Sequence, residues 1–577
     1  MALIKRALTA WQRCWREDGL RGLWGLFRRA CIRGINLPTI RRLRAMRAEE
    51  ERRYGPWLKA CEPDAAERQR QSARHFSHGL SILIPTWNTR PELLTALADS
   101  LVAQTAPQWE ACLWDGHSTD PATLEALRAA AARDPRIRVT FSEENGGISR
   151  NTNGALSMAR YDWIALCDHD DLLAPDAVYR ILDAAEGGAD FVYTDEDKCD
   201  EAGERFFDPH LKPDFAPDSL RSGNYICHMM AMEKALMLRA GAMREAFDGS
   251  QDHDLALRAT ELAEHIVHIP RVLYHWRMVN TSFSHQKIEQ CAHVAASAVG
   301  DQLRRLGLPG TSDTYLLNCR VDYGDDPDMT VSLILTPAQD GSWRGLGRLL
   351  RRTAQPIHEI IAVGREAPTV RGISVKTADS LNQAAELASG RALVFLQCGM
   401  IPAQRDWLRQ LTMFLRRQDV GCAGAPITDR RHCYLHCGYA VDVPGGAPSH
   451  HLGAFSAGVT YQYNDRVVRN VSGVSSCLMA IRRDVFRRLG GFRVYASDLR
   501  GAELGVLAMR AGYLNVITPF ALMRAPRGAG CLTAPAPEED LRRMREALGP
   551  VRERYYSPLF EKVKGTMSID FDRKLSD

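Results

Sequence analysis

"LSILIPTWNTRPELLTALADSLVAQTAPQWEACLWDG", residues 80–116, sets two apolar runs (80–85 and 110–115) on either side of a segment with helical spacing at 91–104. A strand apolar on both faces, a helix and a second such strand describe a unit in which helices cover both sides of a parallel sheet. The pattern continues outward. A helix is expected across 121–133, and strands at "IRVTFS" (137–142), "DWIALCD" (162–168) and "DFVYTD" (190–195). The expected fold class is therefore α/β, Rossmann-like, with a mostly parallel sheet whose ligands bind at the carboxyl ends of the strands.

Acidic residues collect at those ends: Asp115 after the second strand, Asp168, Asp170 and Asp171 after the fourth, and Asp195 to Asp197 after the fifth. Three carboxylates within four positions, in "ALCDHDDLLAP" (165–175), repel one another and resist burial unless a cation or a catalytic task compensates. With an extended backbone through 168–170, Asp168 and Asp170 project to one side and His169 to the other. Two carboxylates with open positions opposite suit Mg²⁺ or Mn²⁺. The competing reading is a helix cap, with Asp171 or Pro175 starting the helix that follows.

These motifs resemble those of the family-two, A-type (GT-A) glycosyltransferases, almost continuously across 80–285. "SILIPTWN" resembles the first strand and nucleotide-contacting loop, and "DGHSTD" the DGGSTD element, with His117 in place of the usual glycine. "NGGISRNTNGAL" resembles the segment leading into the metal motif, and "DHDD" the DxD motif. "YTDEDK" and "LKPD" resemble a subgroup of surface-polysaccharide and O-antigen assembly, "GSQDHDLALR" the segment carrying the catalytic base, and "HIPRVLYHWR" the subgroup's end signature. The resemblance implies transfer of a sugar from a nucleotide-diphosphate donor to a hydroxyl of a glycan or lipid-linked glycan, with inversion and with Mg²⁺ or Mn²⁺ as cofactor. It implies donor contacts from Pro85, Thr86, Asn88, Asp115, Asn153, Asp168, Lys198, His275 and Arg277, metal ligation by Asp168 and Asp170, and a base at Asp252 supported by Asp254. Plainer roles compete for three of these: a helix-dipole acid for Asp252, a buried structural histidine for His275 and a solvated charge for Lys198.

The second half repeats the first. "TVSLILTPAQDGSWRGLGRLLRRTAQPIHEIIAVG" (330–364) parallels 80–116, and "SLNQAAELASGRALVFLQCGMIP" (380–402) parallels "ISRNTNGALSMARYDWIALCDHDDLLAP" (148–175). Its chemistry is not repeated, because Gln397, Cys398 and Gly399 stand where the first copy has Asp168, His169 and Asp170. Gly501 stands where a base is expected, leaving Glu503 nearby. The expected organisation is a basic amphipathic helical region (1–78), a catalytic GT-A domain (79–285), a helical connector (286–329), a second, non-catalytic GT-A-like domain (330–535) and a helical tail (536–577). In "HCYLHCG" (432–438) the residue types suit zinc, but paired ligands from a second segment are missing, and reduced, partly buried thiols are the better reading.

Composition bounds the rest. The 577 residues, 45% hydrophobic and 25% charged, are globular and long enough for two or three cores. Residues 1–53 hold 14 Lys/Arg against 5 Asp/Glu, while the whole chain carries only +4. There Ile4, Leu8, Trp11 and Trp15, then Leu20, Leu23, Trp24 and Phe27, recur at helical spacing among Arg and Lys. That pattern suits an anionic membrane surface. No nucleic-acid motif accompanies the charge, and none of the apolar runs is long enough to span a bilayer. Scattered cysteines without a secretory leader point to the cytoplasm, peripheral to the inner face of the cytoplasmic membrane. Two other classes remain in view, a glycan- or lipid-binding scaffold without catalysis and a phosphatase with an aspartyl nucleophile in "DHDD".

Overall fold

A computed structural model describes residues 37–573, except 280–287, 365–367, 371, 374, 431–432, 442–448, 451–465, 527–531, 533–535 and 562–566. The expected strands form β1 (Leu80–Thr86), β2 (Trp109–Asp115), β3 (Ile137–Phe141), β4 (Trp163–Leu166) and β6 (Phe191–Cys199). They share one sheet with the two-residue β5 (Leu172–Leu173), and with β7 (Phe206–His210), β8 (Met230–Glu233) and β9 (Ile266–Arg277). Its order is β3-β2-β1-β4-β8-β6-β9-β5, with β7 beside β6. The β3-β2-β1-β4 block and the β6-β9 pair are parallel, whereas β8 runs antiparallel to both of its neighbours. The sheet is thus mixed rather than mostly parallel, because a four-residue strand too short to carry a periodic signal is inserted at its centre.

The repeat holds in three dimensions. The second sheet runs Val375–Ala378, Glu359–Val363, Val331–Thr336, Ala392–Gln397, Leu478–Arg482, Val420–Gly424, Leu514–Ile517 and Arg469–Asn470, again with an antiparallel strand fifth in order. It extends to buried polar contacts. Ser81 donates to Glu110 at 2.8 Å and Ser332 to Glu359 at 2.7 Å, and each glutamate meets a cation, Arg138 or Lys376, on the next strand. The two sheets therefore share one strand order and one buried polar motif.

Between the sheets the connector holds the helix Ile288–Arg305 and a hairpin, Thr311–Tyr315 against Asn318–Asp322. The hairpin was not anticipated. Its turn places Leu316 and Leu317 at φ of 50° and 68°, a conformation that sequence usually signals with Asn-Gly rather than Leu-Leu. Among the described residues the C-terminal segment is helical only over Glu538–Leu548. Gly549, Pro550 and Pro558 end that helix, and the chain returns to the first domain, where the Asp214 amide donates to the Arg554 carbonyl at 2.7 Å. Tyr556, Leu559, Phe560 and Ile569 then pack with Tyr54, Trp57 and Leu58 of the helix Leu37–Cys61. The last turns of the N-terminal region therefore belong to a shared core. Positions 1–36, which carry the amphipathic pattern, lie outside the described residues.

One buried ion pair ties the two domains. Arg417, beside the second sheet, contacts Asp218 of the helix Pro217–Ser222, and the Asn470 side chain donates to the same carboxylate at 2.9 Å. Burial alone pushes the Asp218 carboxyl up, but Arg417 and Arg221 outweigh it and hold the group below the usual carboxylate range. Removing one partner of such a pair leaves an uncompensated charge. Arg417→Met is expected to destabilise the protein by about 3–5 kcal/mol in urea unfolding, and a loss under about 1 kcal/mol would contradict this role for the pair.

Candidate active site

The loops after β1 and β2 are zipped into one rim. Asp115, almost fully buried, accepts from the Ser118 amide at 2.9 Å, the Ser118 hydroxyl at 2.5 Å and the Thr86 hydroxyl at 3.2 Å. The Asn88 amide donates to the Ser118 hydroxyl at 2.7 Å, and the Asn88 side-chain oxygen accepts from the Thr119 amide at 2.9 Å. Pro85 sits opposite Trp114 in the strand register, and the Trp87 ring between the loops is 53% exposed. His117 adopts φ 60°, the left-handed region in which the family's glycine is at ease. A side chain there costs roughly 1–2 kcal/mol, so the departure noted in the sequence carries strain.

Beyond β4 the chain turns instead of extending, since the strand ends at Leu166 and a turn occupies 169–170. The period-two premise for Asp168 and Asp170 therefore fails. Asp171 starts no helix either, as the next one begins at Ala177. Its buried carboxylate accepts from the Tyr274 hydroxyl at 2.5 Å and the Arg277 amide at 2.7 Å, anchoring the turn to β9. Arg277 adds bonds from Nε to the Asp170 carbonyl at 2.6 Å and from Nη1 to the Glu201 carbonyl at 2.8 Å. Its buried Nη2 has no hydrogen-bond partner among the described residues.

This scaffold leaves the Asp168 side chain 46% exposed, with His228 Nε2 at 3.7 Å. Partial burial disfavours the ionised form of Asp168 and raises its pKa; Asp170 and Asp252 push it up too, and His228 and His169 oppose. Asp252, in the first turn of the helix Gln251–Leu262, is close enough for its charge to be felt there. The Asn224 side-chain amide donates to it at 2.8 Å. A carboxylate whose ionised form is disfavoured by burial and by two neighbouring acids is a donor set that a divalent cation fits. Among the described residues, Asp168, Asp171 and His228 are the one cluster of three candidate ligands, their atoms within 4.8 Å of one another.

Other expected residues lie elsewhere. Lys198 is paired with Asp208 at 2.5 Å. His275 is buried, with Nδ1 2.6 Å from Asp197, whose other oxygen accepts from the Tyr54 hydroxyl at 2.7 Å. Neighbouring residues on a strand face opposite ways, so with Tyr274 turned toward Asp168, His275 is turned from it. Asn153 donates to the Met243 carbonyl at 2.9 Å and accepts from its amide at 3.0 Å. In the second copy Asn382 brackets Phe492 in the same way, at 2.8 and 2.9 Å, which gives this asparagine a structural task common to both domains. Asp254 is buried between Arg244 and Arg258, fixing the helix that carries Asp252.

The corresponding region of the second domain is filled. Cys398 is buried with its thiol 3.5 Å from the Arg344 carbonyl, and a Cβ on Gly345 would lie 3.2 Å from the Gly399 Cα. A Cβ on Gly501 would lie 2.3 Å from the Val474 carbonyl oxygen, so the backbones leave no room for a side chain there. Glu503 is buried 3.2 Å from Arg493. In the Cys-His stretch His432 lies outside the described residues, while His436 accepts from the Ser475 amide at 3.0 Å and the Cys437 thiol meets Arg469 at 3.2 Å.

His228 had no place in the expected site, and Glu196 of "YTDEDK" and Lys212 of "LKPD" had no assigned task. Lys212 is fully buried, donating to Glu196 at 3.3 Å and to the carbonyls of Ile226 at 2.6 Å and His228 at 2.5 Å. Glu196 accepts from the His228 amide at 2.8 Å. Burial pushes Glu196 up, but Lys212 and then His210 outweigh it and bring the pKa down to about 2.

The family model described as "Glycosyl transferase family 2" matches residues 81–243. The chain is 31% identical over 519 residues to an uncharacterised protein, y4gI, of Sinorhizobium fredii, covering 83% of this chain and 57% of that one. It is 29% identical over 543 residues to the O-antigen biosynthesis protein RfbC of Myxococcus xanthus, covering 88% and 42% respectively. The chain thus spans about half the length of these relatives. Among solved structures, S. aureus TarS 1–349 in complex with UDP-GlcNAc aligns over 39% of this chain and 66% of that one, at 20% identity and a TM-score of 0.32.

Proposed function

We propose, for a chain that carries a glycosyltransferase family 2 domain, that it moves a sugar from a nucleotide-diphosphate donor to a hydroxyl of a growing surface glycan. The first domain performs the transfer, metal-dependent and inverting, and the second is non-catalytic. The observation that carries this reading is that Asp252, in the first turn of its helix, adds its negative charge to the repulsion that raises the Asp168 pKa, beside the cluster of Asp168, Asp171 and His228.

The Asp252 carboxylate, oriented by Asn224, takes the proton of the acceptor hydroxyl as its oxygen bonds the anomeric carbon. The bond from that carbon to the diphosphate breaks on the opposite face, and the nucleoside diphosphate leaves with the bonding electrons. Asp168, with Asp170 of the same turn, would hold a divalent cation, which when bound would neutralise the charge growing on the leaving group. The Thr86, Asn88 and Asp115 rim receives the nucleoside, and Arg277, which bonds the Asp170 carbonyl through Nε and whose buried Nη2 has no hydrogen-bond partner among the described residues, braces the turn that carries Asp168. Incubation with single sugar nucleotides and a lipid-linked glycan tests the reading, by the release of nucleoside diphosphate with Mg²⁺ or Mn²⁺ and by the inverted configuration of the product.

The acceptor places the enzyme at the inner face of the cytoplasmic membrane. No helix among the described residues is long and apolar enough to cross a bilayer. The Trp- and Arg-rich residues 1–36 supply the contact instead. Deleting them is expected to abolish sedimentation with anionic vesicles, which in the intact chain weakens as salt rises. Undiminished sedimentation of the truncated chain would overturn the membrane role.

A further inference from the structure

We infer that His228 supplies a nitrogen ligand to the cation at Asp168, biasing the site toward Mn²⁺ over Mg²⁺. This rests on the metal-dependent reading above. The geometry fits a shared ion better than a direct bond. His228 Nε2 stands 3.7 Å from Asp168 Oδ2, beyond hydrogen-bond range. Two ligands each about 2.1 Å from one ion lie about 3 Å apart at a right angle and about 3.6 Å apart at 120°. Among the described residues the imidazole makes no hydrogen bond, although only 14% of it is exposed.

The ring is also aimed. It stacks on Tyr274 at 4.7 Å, and the Tyr274 hydroxyl bonds both the Asp168 amide and the Asp171 carboxylate. Its peptide is gripped from both sides, by Glu196 at the amide and by Lys212 at the carbonyl. A buried Lys–Glu pair is costly to assemble, and this one directs three hydrogen bonds to the backbone of Ile226 and His228. Asp171, with both oxygens already bonded to Tyr274 and Arg277, positions the turn rather than ligating. Imidazole strengthens transition-metal binding far more than magnesium binding, which prefers oxygen ligands.

The test is Mn²⁺ binding to the full-length protein, followed by electron paramagnetic resonance with detection of nitrogen coupling and without any turnover. Wild type is expected to show coupling to one imidazole nitrogen. His228→Gln loses that coupling and binds Mn²⁺ at least about tenfold more weakly, while Mg²⁺ affinity measured by competition falls by less than about threefold. Mn²⁺ bound to wild type without nitrogen coupling overturns the proposal by itself, whether or not the variant folds. Coupling that persists in a folded His228→Gln overturns it too. If Asp168→Asn binds Mn²⁺ as wild type does, the underlying metal assignment fails; loss of Mn²⁺ from Asp168→Asn but not from His228→Gln overturns only the histidine's role.

Discussion

Asp252→Asn lowers kcat by about 10²–10⁴-fold, the usual contribution of a general base, and leaves donor affinity near that of wild type. The carboxylate acts on the acceptor hydroxyl, so the diphosphate and its cation do not sense the loss. Nor does the fold depend on it, since among the described residues its side chain takes one hydrogen bond, from the Asn224 side-chain amide, and an asparagine oxygen still accepts that bond. The neighbouring Asp254 offers the contrast. It is buried between Arg244 and Arg258, and Asp254→Asn acts through stability, because two arginines then face a neutral group. Rate assays beside calorimetric donor titration separate the two outcomes. Turnover of Asp252→Asn within a few fold of wild type would remove the assigned base.

Asp168→Asn abolishes both cation binding and transfer, yet without metal at neutral pH the variant is at least as stable as wild type. The sign follows from the raised pKa of Asp168, caused first by burial and then by its acidic neighbours. A carboxyl whose folded value lies above its unfolded value favours folding while protonated. That stability is lost as pH rises through the folded value, leaving an ionised group at pH 7 that opposes the fold. Asparagine removes the charge. Added Mn²⁺ reverses the order, since only wild type binds it, gaining about 2.7 kcal/mol at a hundredfold excess over Kd. Thermal melts with and without Mn²⁺ read both effects. A variant that melts well below wild type without metal, or gains as much from Mn²⁺, would contradict the assignment.

The parallel half of the first sheet was legible because β1, β2 and β4 are apolar on both faces, so no polar alternation obscures them. The repeat was legible for the same reason. What escaped was geometry that sequence spacing does not encode: the short antiparallel β8, the Leu316–Leu317 turn, and the bend that replaces an extended 168–170. The misplacement of His275 was avoidable. Reading "LYHWR" with period two puts Tyr274 and Trp276 on one face and His275 on the other, beside Asp197. His228 carried no local signal, standing between Cys227 and Met229 in an apolar run. The residues that hold it, Lys212 and Glu196, lie in the charged stretches "HLKPD" and "YTDEDK", where nothing in the sequence marks either one as buried. Asn153 shows the use of an internal repeat, because Asn382 makes the same contacts in a copy without the acids and so separates structure from catalysis.

The central claim, one metal-dependent donor site in the first domain, is tested most directly by titrating the intact protein with single sugar nucleotides in a calorimeter. The titration is made with Mn²⁺, without it, and with Asp168→Asn. The account predicts one bound donor per chain with Mn²⁺ and loss of that binding in both other cases. Two donors per chain, or binding that survives both the removal of metal and Asp168→Asn, would contradict it.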